Sequence, residues 1–447
     1  MKNNIASFLM KYADEKPDKL ALVDDKNNIT YGQLFKRATE LSKKYTTKNK
    51  GYVVKAERNI ETIIDFYAIL LSGNYYVPVD PQIPREKLDY ITETIKTNNY
   101  ENTLYIMFTS GSTGLPKGVV KSHENYLAFV HNFIKTFNLT SDEIIANQTP
   151  FNFDASAKDI LVSLALCATL VIVPKMLFMF PNKLIGFLNE HKVSAICWVP
   201  SALIIIVKLK TLETIKPQFI KKIFFVGEVF PIKYLNLLIA ELPNVDFINL
   251  YGLTEIAGVC LYYKIPKNKI LKEDTALPMG LPLLNNKVYL DENGEVCVES
   301  EQVALGYTNN HEKNKEVFVN GMLKTGDFAR IDDNNNFIFV TRKDFQIKHM
   351  GYRLELQEIE TFANAIEYVD ACACLYDKAN EKIVLFLVLS KSRDDPKKEI
   401  ILDLRKKLPA YMIPNVIEIL DTMPQNANGK IDRNNLQRRI NKNGKDN

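Results

Sequence analysis

This 447-residue chain lacks the features that mark a membrane, secreted or metal-bound protein. Its most apolar run, Ile160 to Pro174, is 15 residues long, short of the roughly 18–20 needed to cross a bilayer. The opening stretch has no signal-peptide core, because Lys11, Asp14, Glu15 and Lys16 interrupt it. None of the six cysteines (Cys167, Cys197, Cys260, Cys297, Cys372 and Cys374) forms a CxxC pair. The five histidines (His123, His131, His191, His311 and His349) show no metal-ligand spacing with them. Charge of one sign is missing too. The 57 Lys and Arg against 53 Asp and Glu leave +4, scattered along the chain, which gives no reason to invoke nucleic acid. What is there suits a folded chain: 46% hydrophobic residues, 25% charged and a mean hydropathy of −0.13 exclude disorder. The expectation is a cytoplasmic protein of about two to four domains with buried thiols. Cys372 and Cys374, two apart, should share one strand face.

Short apolar strand-like runs alternate with amphipathic stretches, the α/β pattern. Strands are expected at Leu170–Val173, Ala195–Val199, Ile223–Val226 and Phe247–Leu250, and helices at Ile60–Ser72, Asp159–Cys167, Asn182–His191 and Pro231–Leu242. From about Asp274 the texture changes to short strands and turns, such as Val288–Asp291, Glu295–Glu299 and Phe337–Val340. A last block has its own strands (Ala371–Tyr376, Ile383–Leu389) and helices (Leu356–Ala365, Lys397–Leu408). This predicts a boundary near Arg342–Asp344, with domains at 1–342 and 343–447.

One segment carries specific chemistry. Phe108 to Gly118 follows a strand-like run (Leu104–Phe108) and reads Phe-Thr-Ser-Gly-Ser-Thr-Gly-Leu-Pro-Lys-Gly. Glycines let backbone N–H groups approach a polyphosphate, hydroxyls donate hydrogen bonds, and Lys117 adds positive charge. A Walker A loop would need glycine where Pro116 stands, and no G-x-G-x-x-G for a dinucleotide is present.

At these residues the sequence resembles the adenylate-forming enzymes, and within them the amino-acid-activating branch of nonribosomal peptide synthetase adenylation domains and D-alanine–carrier protein ligases. The motifs run in the family's order over nearly the whole chain: Ile29–Leu34, Tyr75–Pro81, the loop, Tyr251-Gly252-Leu253-Thr254-Glu255, Lys324–Asp327, Arg342–Glu360, Leu408–Pro414 and Asn428–Arg433. The resemblance implies a large α/β N-terminal part with a small β-barrel-like subdomain, and a small mobile α+β C-terminal domain. It also implies ATP and Mg²⁺. Thr109, Ser110, Gly111, Ser112, Thr113, Gly114 and Lys117 would hold the β/γ-phosphates. Thr254 would bond the α-phosphate and Glu255 would ligate Mg²⁺. Tyr251 would stack on adenine, Asp327 and Arg342 would meet the ribose, and Lys430 would bridge the substrate carboxylate and the α-phosphate. Asp344 matches the hinge, and Gly351 the tunnel that admits a pantetheine thiol.

Substrate class turns on Asp154, which matches the carboxylate that holds an amino acid's ammonium in this branch. Burying that ammonium unpaired is expensive. The residue can also be read as an Asp cap on a helix starting near Ala157, and both roles can hold together. Further specificity positions map onto Ala155, Lys158, Cys197, Phe224, Val226, Gly227, Leu250, Gly252, Gly258 and Val259. Lys158 leaves two readings open. It pairs with a side-chain carboxylate of the substrate, favouring glutamate or aspartate; or it pairs with Asp154 or Asp159, or points to solvent, and the substrate is small, such as alanine. The chain ends 14 residues after Arg433, so the thiol is expected in trans, from a phosphopantetheinyl carrier protein or coenzyme A. An acyl- or aryl-CoA synthetase is the alternative function, and a catalytically inactive scaffold a third. Between Pro81 and Phe108 the family's usual strand and helix look trimmed, with residues 98–102 read as a loop.

Overall fold

In a computed structural model, residues 4–443 are described except 84, 98–99, 110–115, 268, 343–345, 350–351, 378–379, 381 and 409. The main sheet has nine strands. Six of them run parallel, in the spatial order Asp246–Tyr251, Lys222–Val226, Ala195–Trp198, Ile144–Asn147, Thr169–Ile172 and Leu20–Val23. They are largely apolar because helices cover both faces. Trp198, fully buried, donates its indole N–H to the Ala146 carbonyl at 3.0 Å, fixing two of these strands at their C-terminal ends. In open α/β sheets the crevice outside those carboxyl ends is where ligands bind. Asp154, Gly227 and the Tyr251–Glu255 turn all follow such ends.

A second sheet orders Gly306–Tyr307, Lys117–Ser122, Thr103–Thr109, Tyr75–Val79 and Gly51–Lys55. Its strands Thr103–Thr109 and Lys117–Ser122 pair antiparallel down to Thr109 opposite Lys117, so the stems of the phosphate loop are held together. Ser122 then caps the helix His123–Phe137 in a capping box with Asn125. A third, antiparallel sheet carries Glu295–Glu299, Met322–Ile331 and Phe337–Arg342. The C-terminal domain holds Val369–Asp377, Lys382–Leu389 and Val416–Ile419, backed by helices Leu356–Asn364 and Pro396–Arg405. All six cysteines are free and buried, with Cys372 and Cys374 on one face of their strand beside Ile359 and Leu385.

The expected elements are present with ends shifted by a few residues, except one. The helix expected at Asp159–Cys167 spans Asp154–Leu166. It is buried on nearly every side, so no amphipathic period marks its first turn. Asp154 is therefore the first helical residue. The cap is Phe153, whose side chain makes no cap bond. Between Pro81 and the phosphate loop lies one helix, Arg85–Lys96, and Tyr100–Asn102 lie outside regular elements, as a loop should. No helix among the described residues is long and apolar enough to cross a membrane.

Candidate active site

Three groups converge at the strand ends. The first is built on Glu255. Its carboxylate accepts from Lys117 Nζ at 3.2 Å and from the Tyr307 hydroxyl at 2.6 Å, and Lys117 also lies 3.1 Å from that hydroxyl and over the tyrosine ring. Burial works against the charge of Glu255, but Lys117 and the Tyr307 O–H outweigh it and hold the carboxyl below its usual range. Tyr307 reaches this position because the Gly306–Tyr307 strand pairs with Val119 and Val120. Thr254 is half-buried in the same turn, which the Ile256 N–H to Leu253 carbonyl bond closes at 3.0 Å.

The second group is Tyr251 and Asp327. The Tyr251 hydroxyl donates to Asp327 at 2.5 Å, and Asp327 is 3% exposed. The backbone register sets Arg342 opposite Asp327 across antiparallel strands. Gly252 is required by contact rather than by freedom: a Cβ there would stand 2.5 Å from the Gly258 carbonyl oxygen.

The third group surrounds Asp154. Tyr105 donates its hydroxyl to Asp154 at 2.5 Å and receives nothing from solvent, being fully buried and bonded on to Tyr126 at 2.8 Å. Burial pushes the Asp154 carboxyl up to about 6, against the pull of Lys121 and the Tyr105 O–H. Lys158 does not face this carboxylate. It is 3% exposed and forms an ion pair with Asp159, whose other oxygen accepts from Asn147 at 3.0 Å. Asp159 keeps that ammonium protonated, above the usual lysine range, although burial opposes the charge. The pair borders a cavity of about 20 Å³ beside Cys197 and Phe224, room for about one water. Cys197, Phe224 and Leu250 are core residues, and Phe224 packs on Phe133 and Phe137; Val226 is half-buried at their edge.

Lys430 comes to this site from the C-terminal domain. A turn carried by Asn426 and Gly429 presents it, with Asn426 N–H to Lys430 carbonyl at 2.7 Å. Its Nζ lies 3.1 Å from where a Cβ on Gly227 would be, and Gly227 has φ +92°. Any other residue at 227 meets both that ammonium and a strained backbone. Arg433 anchors the turn through Glu360 at 2.7 Å and the Cys374 carbonyl at 3.1 Å.

Ser110, Gly111, Ser112, Thr113 and Gly114 of the phosphate loop, the hinge Asp344 and the tunnel residue Gly351 lie outside the described residues, as does the Arg342 side chain. Tyr105, Tyr307 and Asn147 were not expected from sequence. Only strand register and tertiary contact bring them to the carboxylates they hold. Among the described residues no three His, Cys, Asp or Glu side chains form a metal cage.

A family model for the AMP-binding enzymes matches residues 9–98 and 92–308, and one for the AMP-binding enzyme C-terminal domain matches 358–430. The chain is 30% identical to bacitracin synthase 3 of Bacillus licheniformis, over 97% of this chain and 8% of that protein. It is 29% identical to the D-alanine–D-alanyl carrier protein ligase of Staphylococcus aureus, over 98% of this chain and 99% of the ligase. Among solved structures, an anthranilate CoA ligase with anthranoyl-AMP bound superposes with a TM-score of 0.87 at 17% identity, covering 98% of this chain and 97% of its own. The o-succinylbenzoate CoA synthetase of Bacillus subtilis gives 0.82 at 20%, over 96% of this chain and 97% of its own. The chain belongs to the AMP-binding, adenylate-forming enzymes, in their amino-acid-activating branch, and is an ATP-dependent, AMP-forming ligase.

Proposed function

We propose that the chain activates a small amino acid as its aminoacyl adenylate and passes it to the phosphopantetheine thiol of a carrier protein in trans. The observation that carries this is Asp154. Its carboxylate is held by Tyr105 at the strand ends, while Lys158 pairs with Asp159 instead, and it suits a substrate ammonium. The Lys158–Asp159 pair supports the small-substrate reading over the acidic one, since the cation needed by a glutamate or aspartate side chain is already engaged.

In the first half-reaction a substrate carboxylate oxygen bonds to the α-phosphorus of ATP. The bond from that phosphorus to the bridging oxygen breaks, and pyrophosphate leaves with the electron pair. Positioning and charge neutralisation carry such chemistry. On this reading Tyr251 and Asp327 seat the nucleoside, Thr109 to Lys117 hold the β/γ-phosphates, Thr254 meets the α-phosphate, and Lys430 meets the charge that gathers there. Glu255 fits Mg²⁺: it is an ionised, oxygen-only ligand that belongs to no cage of three such side chains among the described residues, as expected for an ion bound by one carboxylate together with phosphates. When bound, the ion would neutralise pyrophosphate. Residues 1–342 would bind both substrates. Residues 343–447 would swing about Asp344 for transfer to the thiol, with Gly351 lining the thiol's path.

The test is ATP–pyrophosphate exchange by the purified chain with D- and L-amino acids, octanoate and benzoate, followed by loading of a holo-carrier protein. Exchange with a small amino acid and acyl transfer to the carrier are expected. Exchange confined to octanoate or benzoate, with transfer to coenzyme A, would overturn the reading.

A further inference from the structure

Lys121 is a charged side chain that none of these roles uses. It stands inside the strand Lys117–Ser122, 0% exposed, and its Nζ has no hydrogen-bond partner. No ion pair among the described residues includes it. An ammonium buried in that state is costly, so a lysine at such a place is accounted for by an anion that binds there during the reaction.

The strand register says which anion. Lys121 lies opposite Tyr105, Val119 opposite Met107 and Lys117 opposite Thr109. Alternation puts Lys117, Val119 and Lys121 on one face. Along that face Tyr105 holds Asp154, and Lys117 holds Glu255. The fields of both carboxylates act on the Lys121 ammonium, and they partly offset the burial that draws its pKa down to about 8. It thus stands at the end of this face where the carboxylate suited to the substrate ammonium lies, with Lys117 and the carboxylate beside the nucleotide further along it. In an α-amino acid seated on Asp154 and reaching for the α-phosphate, the group between those two points is the carboxylate. We infer that Lys121 binds the reacting carboxylate of the acid substrate and aligns it for attack, working with Lys430 from the opposite domain. Lys121 moves no proton; the bonds made and broken are those of the adenylation step.

This rests on the proposed reading of the site as an adenylation centre, but not on the amine, because any acid activated here brings the same carboxylate. The experiment measures exchange kinetics of the wild type, Lys121→Met and Lys121→Arg. The acid is whichever of alanine, glycine, octanoate or benzoate the wild type uses best. Lys121→Met should raise the KM for the acid at least about tenfold, the loss of one charge-assisted bond, with the KM for ATP within about twofold. Lys121→Arg should recover part of the loss. Lys121→Gln gives the same comparison if the Met variant does not fold. An unchanged acid KM, or an ATP KM that rises in step, would overturn the inference. Exchange with benzoate alone but with the acid-KM effect intact would overturn the amino-acid reading and leave Lys121 its role. No exchange with any acid would overturn both.

Discussion

Asp154 is held in a place that resists its ionisation. A carboxyl raised from about 4 to about 6 binds its proton more tightly in the folded than in the unfolded chain. Its contribution to stability is therefore fully present below about pH 4 and is lost as pH rises through 6. At pH 7.5 the ionised form destabilises the fold by on the order of 1–3 kcal/mol. Asp154→Asn should then raise the Tm at pH 7.5, leave it unchanged near pH 3.5, and lower exchange with amino acids at least about tenfold. The wild-type exchange with amino acids should itself decline as pH falls through 6, where Asp154 takes up its proton. A Tm that falls at pH 7.5 would mean the carboxylate stabilises the fold instead. Lys158 shows the opposite economy. Removing one partner of a buried ion pair costs roughly 3–5 kcal/mol, so Lys158→Met should lower stability by about that amount in urea unfolding. Adding Asp159→Asn should restore much of it, since the orphaned charge is then gone. Neither change should create or remove a preference for acidic amino acids. A loss of glutamate or aspartate activation in Lys158→Met would revive the acidic-substrate reading.

At the scale of elements, the site is made by the ends of strands and the turns after them. At the turn of Gly227 the Lys430 Nζ lies 3.1 Å from where a side chain would begin. Gly227→Ala should lower the exchange kcat by about tenfold or more, with smaller effects on either KM, and cost about 1–2 kcal/mol of stability from the positive φ. A kcat within twofold of wild type would show that Lys430 does not work from this position. Much of this level could be read from sequence. The strands before Gly227 and Tyr251 are short, mostly apolar runs, and the loop and the Thr-Glu turn are local motifs whose spacing survives folding. The start of the helix at Asp154 could not be read, since a helix buried all round has no polar face to set its period. Nor could the partner of Lys158 be chosen. Neighbouring residues on a helix do not face each other, and it is Asn147, from a strand, that fixes Asp159. Lys121 was invisible for the same reason. Its meaning depends on the register that sets it beside Tyr105, and nothing within its own strand encodes that.

At the scale of the molecule, the C-terminal domain is docked by polar contacts. Asp370 accepts from the Tyr234 hydroxyl at 2.8 Å and pairs with Lys208 at 2.9 Å, and Lys407 pairs with Asp274 at 2.7 Å. Contacts of this kind are individually modest, which suits the proposed movement, in which the domain would bring Lys430 to the large part and later withdraw it. The docked arrangement joins three features that are remote in sequence: the Asp154 carboxylate, the Glu255 turn with its lysine, and Lys430. Together they make the central claim, that this chain adenylates an acid that also carries an ammonium. The most direct test compares ATP–pyrophosphate exchange by the full chain for alanine, each enantiomer separately, with propionate, which differs only in lacking the amine. The account predicts a kcat/KM at least about tenfold higher for one alanine enantiomer, and loss of that advantage in Asp154→Asn. Equal use of propionate and both alanines, or a preference for propionate, would contradict it.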